Sequence, residues 1–316
     1  MPWPELTSKE MMRVNYLAFD VGGTNVKYAV IDEQGNFFEK GKFKSPKTSL
    51  CDLVSEMGKV HREFKDAYEF QGIALSVPGA PHNDTGLISG DSALRYLHGP
   101  NVREALLEET GLFMYAENDA KSAALGEVWM GAAKDVNDAV FLIIGTGVGG
   151  ALVKDKKVHH GADLLAGEFS YIILDFDFKK QSFVNAACLA CTGSLVRDVA
   201  ERKGISFDQL TGEEIFAAAD AGDLDCYEAI ETFYESLAVV IFNLMYIYDP
   251  EMILLGGAIS AREDLIAKLE EKLAIIKSNF GAKVSEVNPE IVTCEFGADA
   301  NLLGAVCNFR MYEKPE

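Results

Sequence analysis

Three consecutive polar residues, Glu117-Asn118-Asp119, follow a short predicted strand and open a predicted helix. Asn118 or Asp119 could serve only as the helix N-cap, because Asn and Asp side chains commonly accept hydrogen bonds from the first helical amides. A carboxylate at such a junction also lies at the sheet edge where α/β proteins collect ligands. The helix dipole would keep Asp119 ionised and able to accept a hydroxyl proton. Both interpretations, helix cap and catalytic base, are open from the residues alone.

Two glycine-rich turns have the composition of phosphate-binding hairpins. The first combines its glycines with a carboxylate, a hydroxyl and a lysine: Asp20, Gly22, Gly23, Thr24 and Lys27. The second contains Gly145, Thr146, Gly147, Gly149 and Gly150. Successive glycine N–H groups in a tight turn form an anion nest that phosphate oxygens can approach. An ordinary β-turn would explain one hairpin, but two copies and a third turn at Gly256-Gly257 favour nucleotide binding.

The first of these turns also supplies a candidate metal ligand. Mg²⁺ takes few carboxylates from a protein and keeps several of its waters, so Asp20 could hold it through water. Phosphoryl transfer asks for alignment of an alcohol with the γ-phosphate, charge neutralisation and one base. Asp20, the glycine turns and Asp119 together could meet those needs.

The second turn matches G-x-G-x-x-G through Gly145, Gly147 and Gly150, which raises the alternative of a nicotinamide oxidoreductase. That function requires a helix directly after the glycines, so that the pyrophosphate meets a helix N-terminus. The sequence that follows, ALVKDKKV, predicts a strand and a basic turn instead. The turn therefore favours a phosphate-wrapping hairpin over a dinucleotide fold.

The elements around these residues predict an α/β protein with mixed sheets. AFDVGGTNVKYAVIDEQG and LIIGTGVGGALVKDKK both show a strand, a glycine turn, a strand and a polar turn, which is a weak internal repeat. Two related α/β domains are expected, residues 1–118 with 299–316 and residues 119–298. A predicted long helix at about 227–246 carries an apolar stripe that indicates core packing rather than a cofactor site.

Charge and composition exclude several classes of partner. The 316 residues include 29 basic and 49 acidic side chains, and 29 − 49 gives a net charge of −20. Such a surface disfavours nucleic acid and anionic membranes. No signal peptide is recognisable, the apolar stretch at 139–144 is far too short to span a bilayer, and the six cysteines are scattered. We therefore expect a cytoplasmic protein with reduced thiols.

The motifs taken in order resemble those of ROK-family sugar kinases. They are FDVGGTNVK, VPGA, ENDAKSAALGE, IGTGVGGALV, GADLLAGEFSY, ILLGGAIS and FGADANLLGA, and they extend over about residues 16–309. The resemblance implies a two-domain actin/hexokinase-like (ribonuclease H-like) fold with a cleft between the domains and the last helix packed on the first domain. It also implies transfer of phosphate from ATP, with Mg²⁺, to a sugar hydroxyl.

The resemblance further implies roles for individual residues. Asp119 matches the catalytic base, Asn118 and Glu168 match sugar-binding residues, and Gly79 matches a backbone position beside the sugar. The positions that match the ATP site are Gly22, Gly23, Thr24, Lys27, Gly145, Thr146, Gly147, Gly149, Gly256 and Gly257. His160 follows the second hairpin and is a further candidate for sugar contact.

Two departures from the family pattern affect the predicted metal content and sugar. Ser170-Tyr171 stands where the family usually has Gly-His, and the cysteine-rich zinc loop is missing. Cys188 and Cys191 form a lone C-x-x-C, too few ligands for a tetrahedral site, so we expect ordinary buried thiols and no structural zinc. These departures are similar to the branch that includes β-glucoside kinases and glucokinases. Tyr171 could donate a hydrogen bond to a sugar hydroxyl, or it could simply pack.

The expected reaction is phosphorylation, at the 6-hydroxyl, of glucose or a β-glucoside. Fructose and N-acetylmannosamine are alternative substrates. A sugar-binding ROK regulator without kinase activity is the alternative function, although regulators carry an N-terminal DNA-binding domain and only a short tail precedes residue 16 here. The expected partners are the sugar and MgATP, with no nucleic acid and no membrane, in a homodimer as in relatives.

Overall fold

The computed structural model describes residues 14–280 and 287–313, which fold into two compact units. Unit 1 contains the described residues up to Lys134 together with the C-terminal helix, and unit 2 spans Asp135–Gly297. The boundary thus follows Lys134, whereas the sequence analysis placed it after Asn118. A strand end is a natural break in a sequence pattern, but the next helix packs extensively against the C-terminal helix and stays with unit 1.

The strands and helices follow in chain order. The strands are β1 (Asn15–Val21), β2 (Asn25–Asp32), β3 (Phe37–Lys44), β4 (Phe70–Val77), β5 (Ala80–His82), β6 (Leu87–Ser89), β7 (Met114–Asn118), β8 (Ala139–Ile144), β9 (Val148–Lys154), β10 (Lys157–Val158), β11 (Ile173–Asp177), β12 (Ser182–Asn185), β13 (Met252–Gly256) and β14 (Glu290–Thr293). The helices are α1 (Leu50–Phe64), α2 (Val102–Thr110), α3 (Asp119–Met130), α4 (Ala186–Leu189), α5 (Thr192–Lys203), α6 (Gly212–Asp220), α7 (Leu224–Tyr248), α8 (Leu265–Ser278) and α9 (Ala300–Glu313).

Unit 1 is built on a mixed five-stranded sheet in the order β3-β2-β1-β4-β7. The first three strands are antiparallel neighbours, whereas β4 and β7 run parallel to β1. Successive side chains of β1 point to opposite faces of the sheet, because side chains alternate along a strand. Leu17 and Phe19 join a core with Met57 of α1, while the Tyr16 ring lies 5.3 Å from the Phe309 ring of α9. Both faces are covered, and six of the seven residues of β1 are accordingly buried.

Helices α3 and α9 approach each other closely at glycines. A Cβ added to Gly304 would lie 1.6 Å from the Ser122 carbonyl oxygen, and one added to Gly126 would lie 2.4 Å from the Ala300 carbonyl oxygen. Only residues without a Cβ allow two helix backbones to come this near. The C-terminal helix therefore packs back on the first unit, as the family resemblance implied.

Unit 2 repeats the same strand arrangement in the order β10-β9-β8-β13-β14. Strands β8 and β9 form an antiparallel hairpin, and β13 and β14 run parallel to β8. The predicted internal repeat is confirmed at the level of topology. The helices α4, α5 and α6 and the hairpin β11–β12 have no counterpart in the sequence analysis, which assigned no elements there.

Helix α7 is the central helix of unit 2. Its apolar stripe is buried, as predicted, and consists of Phe233, Leu237, Val240, Ile241, Leu244 and Met245. By length and composition α7 could cross a membrane, but 56% of its most apolar 18-residue window is buried inside the protein. That burial is what a core helix shows.

Candidate functional site

The carboxyl ends of three neighbouring parallel strands of unit 1 bring the predicted catalytic residues together. Asp20 of β1 is in register with Ser76 of β4, and Ser76 is in register with Glu117 of β7. Asn118 then ends β7 and Asp119 begins α3. Ligand sites of α/β proteins form at this edge because the strand ends and the following turns meet there. The two candidate carboxylates thus share one edge of one sheet.

Asn118, and not Asp119, is the N-cap of α3. The Asn118 Oδ1 atom accepts hydrogen bonds from the amides of Ala120, at 3.0 Å, and Lys121, at 3.2 Å. The Asp119 side chain is exposed and its Oδ1 atom accepts from the adjacent Ala120 amide at 2.8 Å. The helix cap is therefore Asn118, and the role of Asp119 as catalytic base stays a prediction.

The Asn118 amide nitrogen also fixes the turn after β4. It donates to the Gly79 carbonyl at 3.0 Å, so that turn is tied to the start of α3. Gly79 has φ = +95°, and a Cβ there would lie 2.6 Å from the Ser89 carbonyl oxygen and 2.9 Å from the His98 ring. Glycine is required at this position for both the conformation and the space.

The Asp20 carboxylate is held by three side chains from other elements. Its Oδ1 atom accepts from Ser76 Oγ at 3.0 Å and from Asn301 Nδ2 of α9 at 3.2 Å, and Lys27 Nζ lies 3.5 Å from Oδ2. Its side chain is 14% exposed. A single, partly buried carboxylate of this kind fits a water-mediated contact to Mg²⁺, which prefers oxygen ligands and retains waters. Ser76 and Asn301 were not predicted from the sequence, although Ser76 directly precedes the VPGA motif and Asn301 lies in FGADANLLGA.

The first glycine turn is anchored from the segment after β3. Ser45 donates through its amide to the Thr24 carbonyl at 3.0 Å and through Oγ to the Gly22 carbonyl at 2.6 Å. Lys47 Nζ contacts the Gly23 carbonyl. The Gly22 amide donates to the Asn25 carbonyl at 3.1 Å and thereby closes the turn. This amide is therefore engaged within the hairpin and is not part of an outward-facing anion nest.

The second predicted glycine turn, which belongs to unit 2, lies against the start of α5. The Gly193 amide donates to the Gly145 carbonyl at 3.3 Å, and the Cys191 thiol donates to the Thr146 carbonyl at 3.1 Å. The space around Gly145 and Gly147 is open, since a Cβ at either position would meet nothing within 4 Å. This openness suits the close approach of a ligand to the backbone.

The other glycines of this hairpin have different surroundings. A Cβ on Gly150 would lie 2.2 Å from the Phe141 carbonyl oxygen and 2.4 Å from the Phe169 ring, so this glycine serves strand packing. Gly149 lies within β9, opposite Ile143 of β8. The part of the hairpin open to a ligand is thus the turn at residues 145–147.

Gly256 and Gly257 lie beside that turn because β13 is the parallel neighbour of β8. Gly256 is in register with Ile143, and Gly257 has φ = +90°. A Cβ on Gly257 would lie 2.1 Å from the Ile144 carbonyl oxygen. The third predicted turn therefore meets the second at the carboxyl edge of the unit 2 sheet.

A pocket of about 470 Å³ is lined by residues of α5 and α6 and by the segment that follows Gly257. Its lining residues are Thr192, Thr211, Gly212, Glu213, Phe216, Ala217, Asp220, Ala258, Ile259 and Arg262. The Arg262 guanidinium lies 3.8 Å from the Phe216 ring centroid and pairs with Asp264 at 2.8 and 2.9 Å. This hydrogen-bonded ion pair lowers the pKa of the Asp264 carboxyl and raises that of Arg262. This pocket was not predicted from the sequence, because no helix was assigned there between 192 and 220.

The remaining candidates for sugar contact lie in a loop after β10. Gly167 has φ = +90° and is packed against β9, which places half-buried Glu168 beside that strand. Tyr171 ends the short 3-10 turn after Glu168 and is 75% exposed, so it packs little against the described residues of this chain, and its contact with a sugar stays a prediction. His160 is half-buried, and its carbonyl accepts from the Ala166 amide at 3.0 Å.

The C-x-x-C cysteines differ in their surroundings. Cys191 is buried and caps α5, its sulfur accepting from the Ser194 amide at 3.3 Å. Cys188 is exposed, so the expectation of two buried thiols is wrong for this residue. Within 14–280 and 287–313 no group of three or more His, Cys, Asp or Glu side chains could hold a metal ion. The lack of zinc stays a prediction for metal analysis of the purified protein.

Comparison with known proteins places this chain in a family. The ROK family pattern matches residues 16–310. A β-glucoside kinase of Listeria monocytogenes is 34% identical over 300 residues, 94% of this chain and 97% of the relative. One from Klebsiella pneumoniae is 32% identical over 301 residues, 95% of this chain and 97% of the relative. A ROK family protein from Streptococcus pneumoniae, solved with sucrose, has a TM-score of 0.85 at 34% identity, covering 95% of this chain and 99% of that one. The chain therefore belongs to the ROK family and has its actin/hexokinase-like fold.

Proposed function

We propose that this protein is an ATP-dependent sugar kinase that phosphorylates the 6-hydroxyl of glucose or of a β-glucoside. Relatives that cover nearly its whole length are named β-glucoside kinase, at 32–34% identity. The observation that carries the proposal is that two adjacent residues at the start of α3 have different surroundings. Asn118 caps the helix, and the adjacent Asp119 carboxylate is exposed at the sheet edge that also holds Asp20.

Asp119 accepts the proton of the attacking hydroxyl in this mechanism. Its position in the first turn of α3 favours the ionised form, because the N-terminal end of a helix dipole stabilises negative charge. The Asn118 amide, fixed between the α3 amides and the Gly79 carbonyl, keeps the peptide that carries Asp119 in place. A base held in one position contributes roughly 10²–10⁴-fold to the rate of proton transfer.

Asp20 is the proposed residue for the metal, and Lys27 for a phosphate oxygen. When bound through water to Asp20, Mg²⁺ would neutralise part of the triphosphate charge. Ser76 and Asn301 stabilise the Asp20 carboxylate by donating to the same oxygen. Lys27 lies 3.5 Å from the other oxygen and is 42% exposed, so its ammonium group can also contact phosphate.

ATP binds along the carboxyl edge of unit 2 in this proposal. The open backbone at Gly145–Gly147 accommodates the phosphates, and the neighbouring pocket over α5 and α6 accommodates the nucleoside. The pocket volume of about 470 Å³ is within the range of small-molecule sites. These local features compensate for a net charge of −20, which would otherwise disfavour a nucleotide.

Glu168 and Tyr171 are the proposed selectors of the sugar in unit 2. A carboxylate accepts hydrogen bonds from two neighbouring hydroxyls, and an exposed phenol combines a hydroxyl with an apolar face for a sugar ring. Half-buried His160 is the further candidate in the same loop. Fructose and N-acetylmannosamine are the alternative substrates. We also propose a homodimer that functions in the cytoplasm, to be checked by light scattering.

A sugar screen tests the reaction, and one variant tests the mechanism. Purified protein is incubated with MgATP and glucose, cellobiose, fructose or N-acetylmannosamine, and ADP is measured. We expect Asp119→Asn to lower kcat by at least ~10²-fold while ATP binding is preserved. Wild-type protein that forms no ADP with any sugar would favour the alternative, a sugar-binding ROK regulator. A near-wild-type kcat for Asp119→Asn would reduce Asp119 to a structural residue.

A further inference from the structure

The side chain of Asn301 connects two residues that the proposed mechanism uses. Its Nδ2 atom lies 3.2 Å from Asp20 Oδ1, 3.2 Å from the Asp119 carbonyl oxygen and 3.3 Å from Ser76 Oγ. These acceptors belong to β1, α3 and β4, whereas Asn301 belongs to the first turn of α9. One amide group therefore contacts three elements at the edge where the catalytic residues meet.

The chemistry of the partners requires a donor at this position. A carboxylate and a backbone carbonyl only accept hydrogen bonds, so the group that faces both must carry hydrogens. A primary amide carries two, one for the Asp20 carboxylate and one for the Asp119 carbonyl. The Ser76 hydroxyl already donates to Asp20 Oδ1 and completes the network. An aspartate of the same shape would place a third acceptor against the other two.

Helix α9 is a rigid base for this amide. It lies against α3 along its length, with backbone contacts at Gly304 and Gly126 that leave no room for a Cβ. Further along α9, buried Asn308 donates to the Ala116 carbonyl of β7 at 3.1 Å. Asn308 makes the same kind of contact as Asn301 but does not touch Asp20 or Asp119.

We propose that Asn301 is a positioning residue that fixes the Asp20 carboxylate and the first turn of α3 relative to each other. The inference rests on the proposed function of Asp20 and Asp119. In-line phosphoryl transfer depends on that relative position, because a misplacement of about 1 Å can lower the rate roughly 10²-fold. Asn301 itself transfers no proton.

The test compares three variants in the full-length protein. Asn301→Ala removes the side chain, Asn301→Asp keeps its shape but removes the donor, and Asn308→Ala is the matched control on the same helix. Each variant is measured for kcat, for KM of the sugar found in the wild-type screen, and for melting temperature. Hydrogen–deuterium exchange of the peptide at residues 118–125 is measured as well, with peptides of unit 2 as the internal reference.

We expect Asn301→Ala to lower kcat by about 10- to 100-fold, with the KM for sugar changed less than about threefold. Asn301→Asp should lower kcat by at least the same factor, because this variant also lacks the N–H donor. Both Asn301 variants should show faster hydrogen–deuterium exchange at residues 118–125 than the wild type, relative to peptides of unit 2, as expected for a helix end that opens locally. Asn308→Ala should lower the melting temperature but leave kcat within about twofold, because it removes an amide–carbonyl bond outside the site.

Two outcomes would overturn the inference. A wild-type kcat for Asn301→Asp would show that shape, and not donation, matters. Equal kcat losses in Asn301→Ala and Asn308→Ala at equal melting temperatures would show a purely structural effect. Either result in an active wild-type enzyme contradicts only this inference, whereas inactivity of the wild type with every sugar contradicts the proposed function.

Discussion

Because α3 and α9 are in close contact, we expect the single methyl group added in the variant Gly304→Ala to lower the stability of the protein. Alanine is ordinarily favoured over glycine within a helix by about 1 kcal/mol. Here its Cβ would lie 1.6 Å from the Ser122 carbonyl oxygen and 2.9 Å from the Gly126 amide nitrogen, both backbone atoms of α3. Normal contacts are about 3.5 Å, so the helices would have to separate by roughly 2 Å.

The size of the effect follows from these opposing contributions. Overpacking against a backbone that cannot rotate away costs about 3 kcal/mol. The helical preference for alanine offsets about 1 kcal/mol of this cost, which leaves a net loss of about 2 kcal/mol in the free energy of unfolding. Separation by roughly 2 Å would also break the 3.2 Å contacts of Asn301, so we expect kcat to fall with stability.

Gly58→Ala provides the matched control, since Gly58 is also a buried glycine within a helix, α1. The three atoms nearest to a Cβ there all belong to the Glu109 side chain, at 2.2–2.7 Å. That side chain can rotate away at the cost of its exposed ion pair with Arg62, worth about 0–1 kcal/mol. We therefore expect Gly58→Ala to change stability by less than about 1 kcal/mol.

The assay is urea unfolding followed by tryptophan fluorescence, to which Trp129 on α3 contributes a signal from unit 1 and Trp3 contributes as well. The urea midpoint should fall for Gly304→Ala and stay near that of the wild type for Gly58→Ala. If Gly304→Ala unfolds at or above the wild-type midpoint, the close approach of the two helices is refuted. If both variants lose equal stability, helix packing is not the cause.

Two further predictions concern unit 2 and the thiols. Lys272 of α8 is nearly buried and donates to Glu231 and Glu235 of α7 at 2.6 and 3.2 Å, and these bonds raise its pKa. Lys272→Met should therefore cost about 2 kcal/mol at pH 7. A raised pKa stabilises the fold below the unfolded value of 10.5, so this difference should shrink in urea melts as the pH rises above 10.5. An unchanged difference would contradict the ion pair. In a thiol titration of native protein, Cys51 and Cys188 should react first. The three buried thiols, Cys191, Cys226 and Cys307, should react slowly. Burial also raises the pKa of the Cys307 thiol to about 12. Rapid reaction of these three would contradict their burial.

Local sequence patterns were sufficient for the elements that carry the candidate site. The two repeated motifs fold into the predicted strand, glycine turn and strand, as β1–β2 and as β8–β9, and Gly111 ends α2 with φ = +74°, as is usual for a glycine that caps a helix. The internal repeat reappears as two sheets with the same strand order. These features depend on neighbours in sequence, on alternation in strands and on turn residues, so they can be read from the chain directly.

Other features depend on residues far apart in sequence and could not be read in this way. The sequence left open whether Asn118 or Asp119 caps α3, because both types cap helices. The fold decides it, since the Gly79 carbonyl, brought close by the parallel pairing of β4 and β7, fixes the Asn118 side chain. The pocket over α5 and α6 was missed because those helices were not assigned, although Thr211 and Glu214 have the spacing of a capping box at the start of α6.

The sequence by itself determined the family, the α/β class, the glycine turns and the candidate carboxylates, because each is recorded in residue types at short spacing. Only the tertiary structure decided that Asn301, 281 residues after Asp20, donates to it, and that α3 belongs to unit 1. The physical reason is that parallel strands and a returning C-terminal helix bring distant segments to one sheet edge. A hydrogen bond across such a distance has no local signal in the chain.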